Sequence, residues 1–108
     1  MEFSELARRA AEVRALYAKF EKVKYGRSWT AEELALGFVG DMGDLAKLVQ
    51  AMNGVRGIPN AKEKLEHELA DCLWSVIVLA QAHEIDLEAA FLKTMAELET
   101  RLSSPPKV

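Results

Sequence analysis

The sequence is poor in cysteine and has no strong excess of either charge. Its 108 residues include one cysteine, Cys72, so no disulfide can form within the chain, and we expect a reducing, cytoplasmic environment. Lysine and arginine number 14 against 17 aspartate and glutamate residues, and the two signs are interspersed. Because a surface for nucleic acid polymers shows as a basic stripe, the sequence predicts no nucleic acid polymer as a partner.

The sequence also lacks a long apolar run. The longest, Cys72–Ala82, is shorter than the roughly 20 residues that span a bilayer, and Ser75 and Gln81 interrupt it. The first residues lack the basic start and the apolar stretch of a secretory signal. We therefore expect a soluble protein without a membrane partner. Half of the residues are apolar, which is enough for one hydrophobic core in a small domain.

Apolar residues recur at helical spacing in four segments, and no segment has the alternation of a strand. The predicted fold class is all-α: a four-helix bundle, antiparallel or with one crossover. One helical domain is expected over residues 1–102, followed by a flexible tail over residues 103–108. The predicted helices cover residues 4–24, 30–52, 61–83 and 87–102.

Capping signals define the ends of these helices. Gly26 is predicted to end the first helix, and Thr30 with Glu33 has the capping-box pattern at the start of the second. Asn60 and Asp86 are predicted to cap the third and fourth helices. Within the second helix, three glycines recur at positions 37, 40 and 43, which indicates a close approach of another backbone or a ligand, or a local break.

The third predicted helix is apolar on nearly every side from Cys72 onward. A helix of this kind is buried on every side, and one chain of this length has little material with which to surround it. The sequence therefore predicts a second copy of the chain packed on it, through two-fold symmetry. Its main apolar stripe comprises Leu65, Leu69, Cys72, Leu73, Val76 and Ala80.

Four carboxylates form two pairs with the same spacing. Asp41 and Asp44 belong to the second helix, and Glu68 and Asp71 to the third. Members of an i, i+3 pair point to nearly the same side of a helix. Asp41 falls in the middle of the apolar face that runs from Leu34 to Met52, where an unpartnered carboxylate is unfavourable.

Three interpretations of these acids follow. They could lie on solvated faces, or form buried salt bridges with Lys47, Lys64 or Arg56, although the apolar faces themselves carry no cation. The third interpretation is a site for a hard cation, Mg²⁺ or Mn²⁺, which prefers oxygen ligands. A di-iron site is disfavoured, because its Glu is followed by a histidine ligand at i+3 and Glu68 is followed there by an aspartate.

At these residues the chain resembles the MazG-like, all-α nucleoside triphosphate pyrophosphohydrolases, whose pattern is Glu-x-x-Glu on one helix and Glu-x-x-Asp on the next. The context is most similar to the dCTP pyrophosphatase branch. The stretches that carry this similarity are Arg27–Trp29, Val39–Ala46, Glu68–Leu73 and the basic Lys93.

The resemblance implies a fold, an activity and a set of site residues. Asp41, Asp44, Glu68 and Asp71 would hold Mg²⁺, with Mn²⁺ as an alternative, and Asp41 would orient the attacking water. The substrate would be a nucleoside triphosphate, with a pyrimidine deoxynucleotide as the first candidate, cleaved to the monophosphate and pyrophosphate. The residues that would bind it are Arg27, Trp29, Lys93 and Arg101. The family also implies a homodimer or homotetramer.

Those substrate contacts have simpler alternatives. Trp29 could only pack against the start of the second helix, and Lys93 and Arg101 could be solvated charges. The chain also departs from the family pattern, because both acids of the first motif are Asp in place of Glu, and Glu97 replaces an Asn that contacts substrate. A catalytically degenerate metal- or nucleotide-binding dimer is therefore the second hypothesis, and a purely structural helical dimer is the third.

Overall fold

The structure, a computed structural model, describes residues 2–103 and contains four helices there and no strand. They are α1 (Phe3–Tyr25), α2 (Ala31–Met52), α3 (Ala61–Ala82) and α4 (Leu87–Ser103). The predicted all-α class is confirmed, and each predicted boundary lies within one residue of the observed one. Ser103, predicted as the start of a tail, ends α4, and the rest of that predicted tail lies outside the described residues.

Most of the predicted caps are present. Gly26 has a φ of 80° and its N–H donates to the Lys22 carbonyl at 2.9 Å. The capping box of α2 is complete: the Glu33 N–H donates to the Thr30 hydroxyl at 3.2 Å, and the Thr30 N–H donates to the Glu33 carboxylate at 3.1 Å. Asp86 accepts the Ala89 N–H at 3.1 Å. These short-range hydrogen bonds explain why the ends of the helices could be read from sequence.

The predicted cap at Asn60 is wrong. Asn60 has a φ of 54° and its side chain makes no capping hydrogen bond. A side-chain cap needs an extended backbone at that residue, and Asn60 is in the left-handed region instead. Asn tolerates this conformation better than most residues, so Asn60 shapes the turn before α3 rather than capping it.

Helices α2 and α3 form an antiparallel pair. Leu34 and Val78 line one pocket between them, and at the far end Leu48 and Lys64 line another. Helix α1 packs on α3 in the opposite direction, where the Trp74 indole N–H donates to the Ala10 carbonyl at 3.2 Å. The first turns of α1 therefore lie beside the end of α3.

The hydrophobic core lies where α1, α2 and α3 meet the start of α4. Ala10, Ile77 and Val78 are buried at its centre. The residues packed around them are Phe3, Ala7, Leu34, Trp74 and Leu87. The side of α3 that faces this core differs from the predicted main stripe, of which Leu69, Leu73 and Val76 are exposed. A helix that is apolar all round does not reveal which side meets its own chain, and only the packing decides this.

Helix α4 does not complete a four-helix bundle within one chain. Its first turn packs on the core through Leu87, whereas Phe91, Leu92 and Met95 are exposed. The radius of gyration is 17.5 Å, against about 13 Å for a compact domain of this length. The accessible surface is 8432 Å², against about 6,000 Å² for a folded monomer of this mass. The single chain thus leaves a large apolar surface uncovered.

Helix α2 is continuous through its three glycines, so the local break that their spacing allowed is absent. A Cβ at Gly37 would meet the Trp29 ring at 4.0 Å, whereas Gly40 and Gly43 face open space. Across residues 2–103, no helix is both long enough and apolar enough to pass through a membrane.

Candidate metal centre

The antiparallel pairing of α2 and α3 brings the two acidic motifs together. Because the two helices are antiparallel, the second acid of the first motif, Asp44, lies beside the first acid of the second motif, Glu68. Oxygen atoms of Asp41, Asp44 and Glu68 all lie within 4.8 Å of one another. We call these three residues the acidic cluster. Asp41 and Glu68 are half-buried and Asp44 is exposed, so the cluster opens to solvent on one side.

One oxygen of the acidic cluster lacks a partner. Glu68 Oε2 is buried and accepts no hydrogen bond from the described residues. A buried carboxylate oxygen without a donor destabilises the fold unless something else compensates its charge. A cation held between these oxygens would do so.

The pKa values of two cluster residues, Asp41 and Glu68, are raised above their ordinary values. Burial raises the pKa of Glu68, and the charges of Asp71, Asp41 and Asp44 add to the effect. Burial likewise raises the pKa of Asp41, followed by repulsion from Asp71 and Asp44. Burial, followed by the charges of Asp41, Glu68 and Asp71, raises the pKa of the Cys72 thiol, so Cys72 is a poor nucleophile at neutral pH. The local field is strongly negative, as expected where a divalent cation binds.

Asp71 lies at the edge of this group. Its charge acts on both Asp41 and Glu68, yet its Oδ2 contacts the His67 Nε2 at 3.1 Å. The i, i+4 spacing of His67 and Asp71 on α3 is the sequence signal for this contact. Asp71 thus lies near the acidic cluster, but its carboxylate also contacts the His67 imidazole.

The salt-bridge interpretation of the acids finds little support. Among residues 2–103, the ion pair to any of the four acids is the one between His67 and Asp71. Lys47 and Lys64 instead line an open pocket of about 390 Å³ beside Asp44 and Glu68. The donor set, three carboxylates with an unpartnered buried oxygen, fits a hard divalent cation.

Two pockets border the acidic cluster on its other side. One, of about 260 Å³, is lined by Trp29, Phe38, Asp41 and Trp74 among others. The second, of about 430 Å³, includes Tyr17, Asp41, Asp71 and Trp74. Asp41 therefore faces aromatic walls, while Asp44 and Glu68 face the pocket with lysines. This polarity suits a ligand with a planar apolar part and an anionic part.

Comparison with known proteins identifies the family. The sequence profile described as the MazG nucleotide pyrophosphohydrolase domain matches residues 29–104, about two thirds of the chain. The chain belongs to the MazG family. No curated protein and no solved structure matches it. The MazG match contains both acidic motifs and begins after α1, so α1 lies outside the part that the family profile describes.

The structure brings one predicted substrate residue, Trp29, close to the acidic cluster and leaves the others apart from it. Trp29 lines the 260 Å³ pocket with Asp41. Arg27 donates to both oxygens of Glu33, at 2.6 and 3.0 Å, and this pairing holds the pKa of Glu33 at about 2. Lys93 and Arg101 are exposed on α4, and the pockets that border the acidic cluster do not include them.

Two residues that sequence reasoning missed lie on α1. Glu21 is buried, with 5% of its surface exposed, and Arg14 pairs with both of its oxygens. Their i, i+7 spacing places them on one side of α1, but charges at that spacing are common on solvated helices. The two side chains are covered because the segment between α1 and α2, which contains Trp29, packs over them, and only the tertiary structure shows this packing.

The metal-free protein should become more stable as the pH is lowered from neutral. The raised pKa values of Glu68 and Asp41 mean that the folded state binds protons more tightly than the unfolded state. Stability therefore increases as the pH falls through those raised values, until the ordinary value of 4.5 for Glu is reached. The melting temperature in a chelator, followed from about pH 7.5 to about pH 5, measures this effect.

Two controls accompany this pH experiment. Glu68→Gln removes one of the two groups, so its melting temperature should rise less over the same range. Glu21, whose pKa is lowered, affects stability only below its ordinary value and so does not interfere. A melting temperature that falls equally in wild type and Glu68→Gln as the pH is lowered would contradict the raised pKa values of Glu68 and Asp41.

Proposed function

We propose that the chain is a metal-dependent hydrolase that converts a nucleoside triphosphate to its monophosphate and pyrophosphate, with pyrimidine deoxynucleotides as the first candidates. The observation that carries this proposal is the acidic cluster with its buried, unpartnered Glu68 oxygen. Two facts add support: membership in the MazG family and the polarity of the surrounding pockets.

Asp41, Asp44 and Glu68 would hold Mg²⁺ or Mn²⁺, with Asp71 at the margin. When bound, such an ion neutralises the developing charge on phosphate oxygens and so assists displacement at phosphorus. Asp41 is the candidate for orienting water, because it belongs to the acidic cluster and also lines both aromatic pockets.

The substrate would lie across the acidic cluster. Its base would enter the pocket lined by Trp29, Phe38 and Trp74, where indole and phenyl surfaces suit a planar ring. Lys47 and Lys64 border the opposite pocket and would attract the phosphates. Arg27 would contact substrate only after releasing Glu33, so in this structure it stabilises the start of α2 instead.

We also propose that the working form is a homodimer or a larger homo-oligomer. The exposed stripe of α3 (Leu69, Leu73 and Val76) and the apolar side of α4 are surfaces that a second copy would cover. The accessible surface beyond that of a typical monomer is on the scale that obligate interfaces bury. Lys93 and Arg101 of a second copy would then be the cations that approach the phosphates.

Sedimentation should give at least twice the mass of one chain. Leu73→Glu should shift the protein to a single chain or unfold it, because a charge would enter the apolar interface. Val23→Glu is the matched control, since Val23 is 90% exposed on α1. Sedimentation of the wild type as a single chain would contradict the oligomer.

Release of pyrophosphate from a panel of nucleoside triphosphates and deoxynucleoside triphosphates, with Mg²⁺, Mn²⁺ or chelator, tests the function. We expect metal-dependent release of pyrophosphate and monophosphate in equal amounts from at least one nucleotide. Nucleotide binding without turnover would select the degenerate binding dimer, which the two aspartates of the first motif and Glu97 favour. If the chain neither binds nor hydrolyses any nucleotide of the panel, the purely structural helical dimer is the remaining hypothesis.

A further inference from the structure

Outside the acidic cluster, the most elaborate polar arrangement is a buried ion pair on α1. Arg14 Nη1 donates to Glu21 Oε2 at 3.0 Å and Nη2 donates to Glu21 Oε1 at 3.1 Å. The exposed fractions of the two side chains are 18% and 7%. A two-point pair of this kind has a defined geometry, unlike a single-contact surface pair.

This pair holds the main chain of Trp29 from both sides. Glu21 Oε1 accepts the Trp29 N–H at 2.7 Å, and Arg14 Nη2 donates to the Trp29 carbonyl at 3.1 Å. Both polar main-chain atoms of one residue, between α1 and α2, are thus bound by one side-chain pair. Burial alone would raise the pKa of Glu21, but the hydrogen bonds from Arg14 and Trp29 keep that pKa below its ordinary value.

The side chain of Trp29 connects this pair to the candidate active site. Its ring lies 4.0 Å from the Cβ position of Gly37, one turn before Asp41 on α2. On one side the ring lines the pocket that includes Asp41, and on the other side it lines a pocket with Tyr17, Phe20 and Tyr25. A small rotation of Trp29 would therefore change the wall of the pocket beside Asp41.

We propose that Arg14 and Glu21 are positioning residues that orient the Trp29 indole as a wall of the nucleobase pocket. The role as a base wall rests on the proposed function, whereas the orientation of Trp29 by the pair does not. The pair does not touch the acidic cluster, so it should affect base recognition without changing metal binding. Because α1 lies outside the family match, this device belongs to the part of the chain that the MazG profile does not describe.

The first test follows the Trp29 ring directly. The protein is labelled with 5-fluorotryptophan, and the fluorine signals of Trp29 and Trp74 are assigned with Trp29→Phe and Trp74→Phe. In Glu21→Gln we expect the Trp29 signal to shift or broaden while the Trp74 signal and the affinity for Mn²⁺ stay unchanged. Glu12→Gln is the matched control, because Glu12 also forms ion pairs with arginine on α1, to Arg8 and Arg9, but on the exposed side of the helix.

The second test is a double-mutant cycle on binding of a non-hydrolysable dCTP analogue with Mg²⁺. Glu21→Gln should weaken binding about tenfold in the wild-type background, on the scale of one base-stacking contact. It should have no effect when Trp29→Leu has already removed the indole, although it still lowers the melting temperature there. If Glu21→Gln does not fold, Arg14→Lys replaces it, since lysine cannot reach both Glu21 and the Trp29 carbonyl.

The outcomes separate this proposal from the proposed function. An unchanged Trp29 fluorine signal in Glu21→Gln and Arg14→Lys would overturn the positioning role, whatever nucleotide binding shows. An equal loss of binding with and without the indole would overturn action through Trp29. Failure of the wild type to bind any nucleotide would instead reject the proposed function and with it the base wall, while the fluorine signal still decides the orientation of Trp29.

Discussion

Replacing Glu68 by glutamine should abolish tight Mn²⁺ binding and reduce pyrophosphate release by about 100-fold or more, because several kcal/mol of charge stabilisation depend on the bound metal. Glu68 is the member of the acidic cluster with a buried oxygen that no described residue satisfies. The amide of glutamine is a neutral and much poorer ligand for a hard cation, and its N–H₂ group points a donor where a cation would lie.

The same substitution should raise the stability of the metal-free protein. Glutamine removes one negative charge from a group whose pKa is raised by burial and by Asp71, Asp41 and Asp44. Loss of activity with a gain in melting temperature separates a functional carboxylate from a structural one, since a structural acid would lose stability on replacement. Isothermal titration with Mn²⁺, the pyrophosphate assay and thermal unfolding in a chelator provide the three measurements.

Glu66→Gln is the matched control for this experiment. Glu66 is exposed on α3, two residues before Glu68, and lies outside the acidic cluster. We expect it to bind Mn²⁺ and release pyrophosphate like the wild type. Full activity in Glu68→Gln would reject Glu68 as a ligand and leave the acidic cluster without a role in the reaction.

Replacing Trp74 by alanine should lower the free energy of unfolding by about 3 kcal/mol, near the lower end for truncation of a large aromatic residue, because Trp74 is only partly buried. Its ring packs against the core and lies 5.5 Å from the Tyr17 ring, centroid to centroid. Its indole N–H donates to the Ala10 carbonyl, which links α3 to α1. Alanine would remove the ring contacts and the hydrogen bond from α3 to this carbonyl.

Trp74→Phe is the control that separates these contributions. It keeps a ring against Tyr17 but loses the hydrogen bond to Ala10, so we expect it to cost about 1 kcal/mol. Unfolding in urea at one fixed protein concentration measures both variants, because the midpoint of an oligomer depends on concentration. Equal stabilities for the alanine and phenylalanine variants would contradict the ring packing described here.

The positions of the helices and the pairing of the acidic motifs could be predicted from the sequence because their causes are local. A capping box involves residues three apart, and the Gly26 and Asp86 caps likewise lie within one helical turn of their partners. The i, i+3 spacing of Asp41 with Asp44, and of Glu68 with Asp71, follows from the helical repeat. Convergence of three of these acids then required only that two long helices joined by a short loop run antiparallel.

Other features depended on contacts between residues distant in sequence. The side of α3 that meets the core, the position of α4 and the burial of Glu21 all follow from how the helices pack. Periodicity favoured the stripe that contains Leu69, Leu73 and Val76, but the other sides of α3 are also apolar. Only packing showed that Trp74, Ile77 and Val78 face the core. The left-handed backbone at Asn60 was missed because the same residue type suits both a cap and a turn.

The sequence by itself determined that this protein is helical, where its helices begin and end, and which acids could meet, since each of these depends on chemistry repeated within one or two helical turns. The tertiary structure decided that Glu68 carries an unpartnered oxygen and that Arg14 and Glu21 hold Trp29 beside the site. These features are set by burial and by atoms that approach across helices, and a one-dimensional pattern contains no information on such distances.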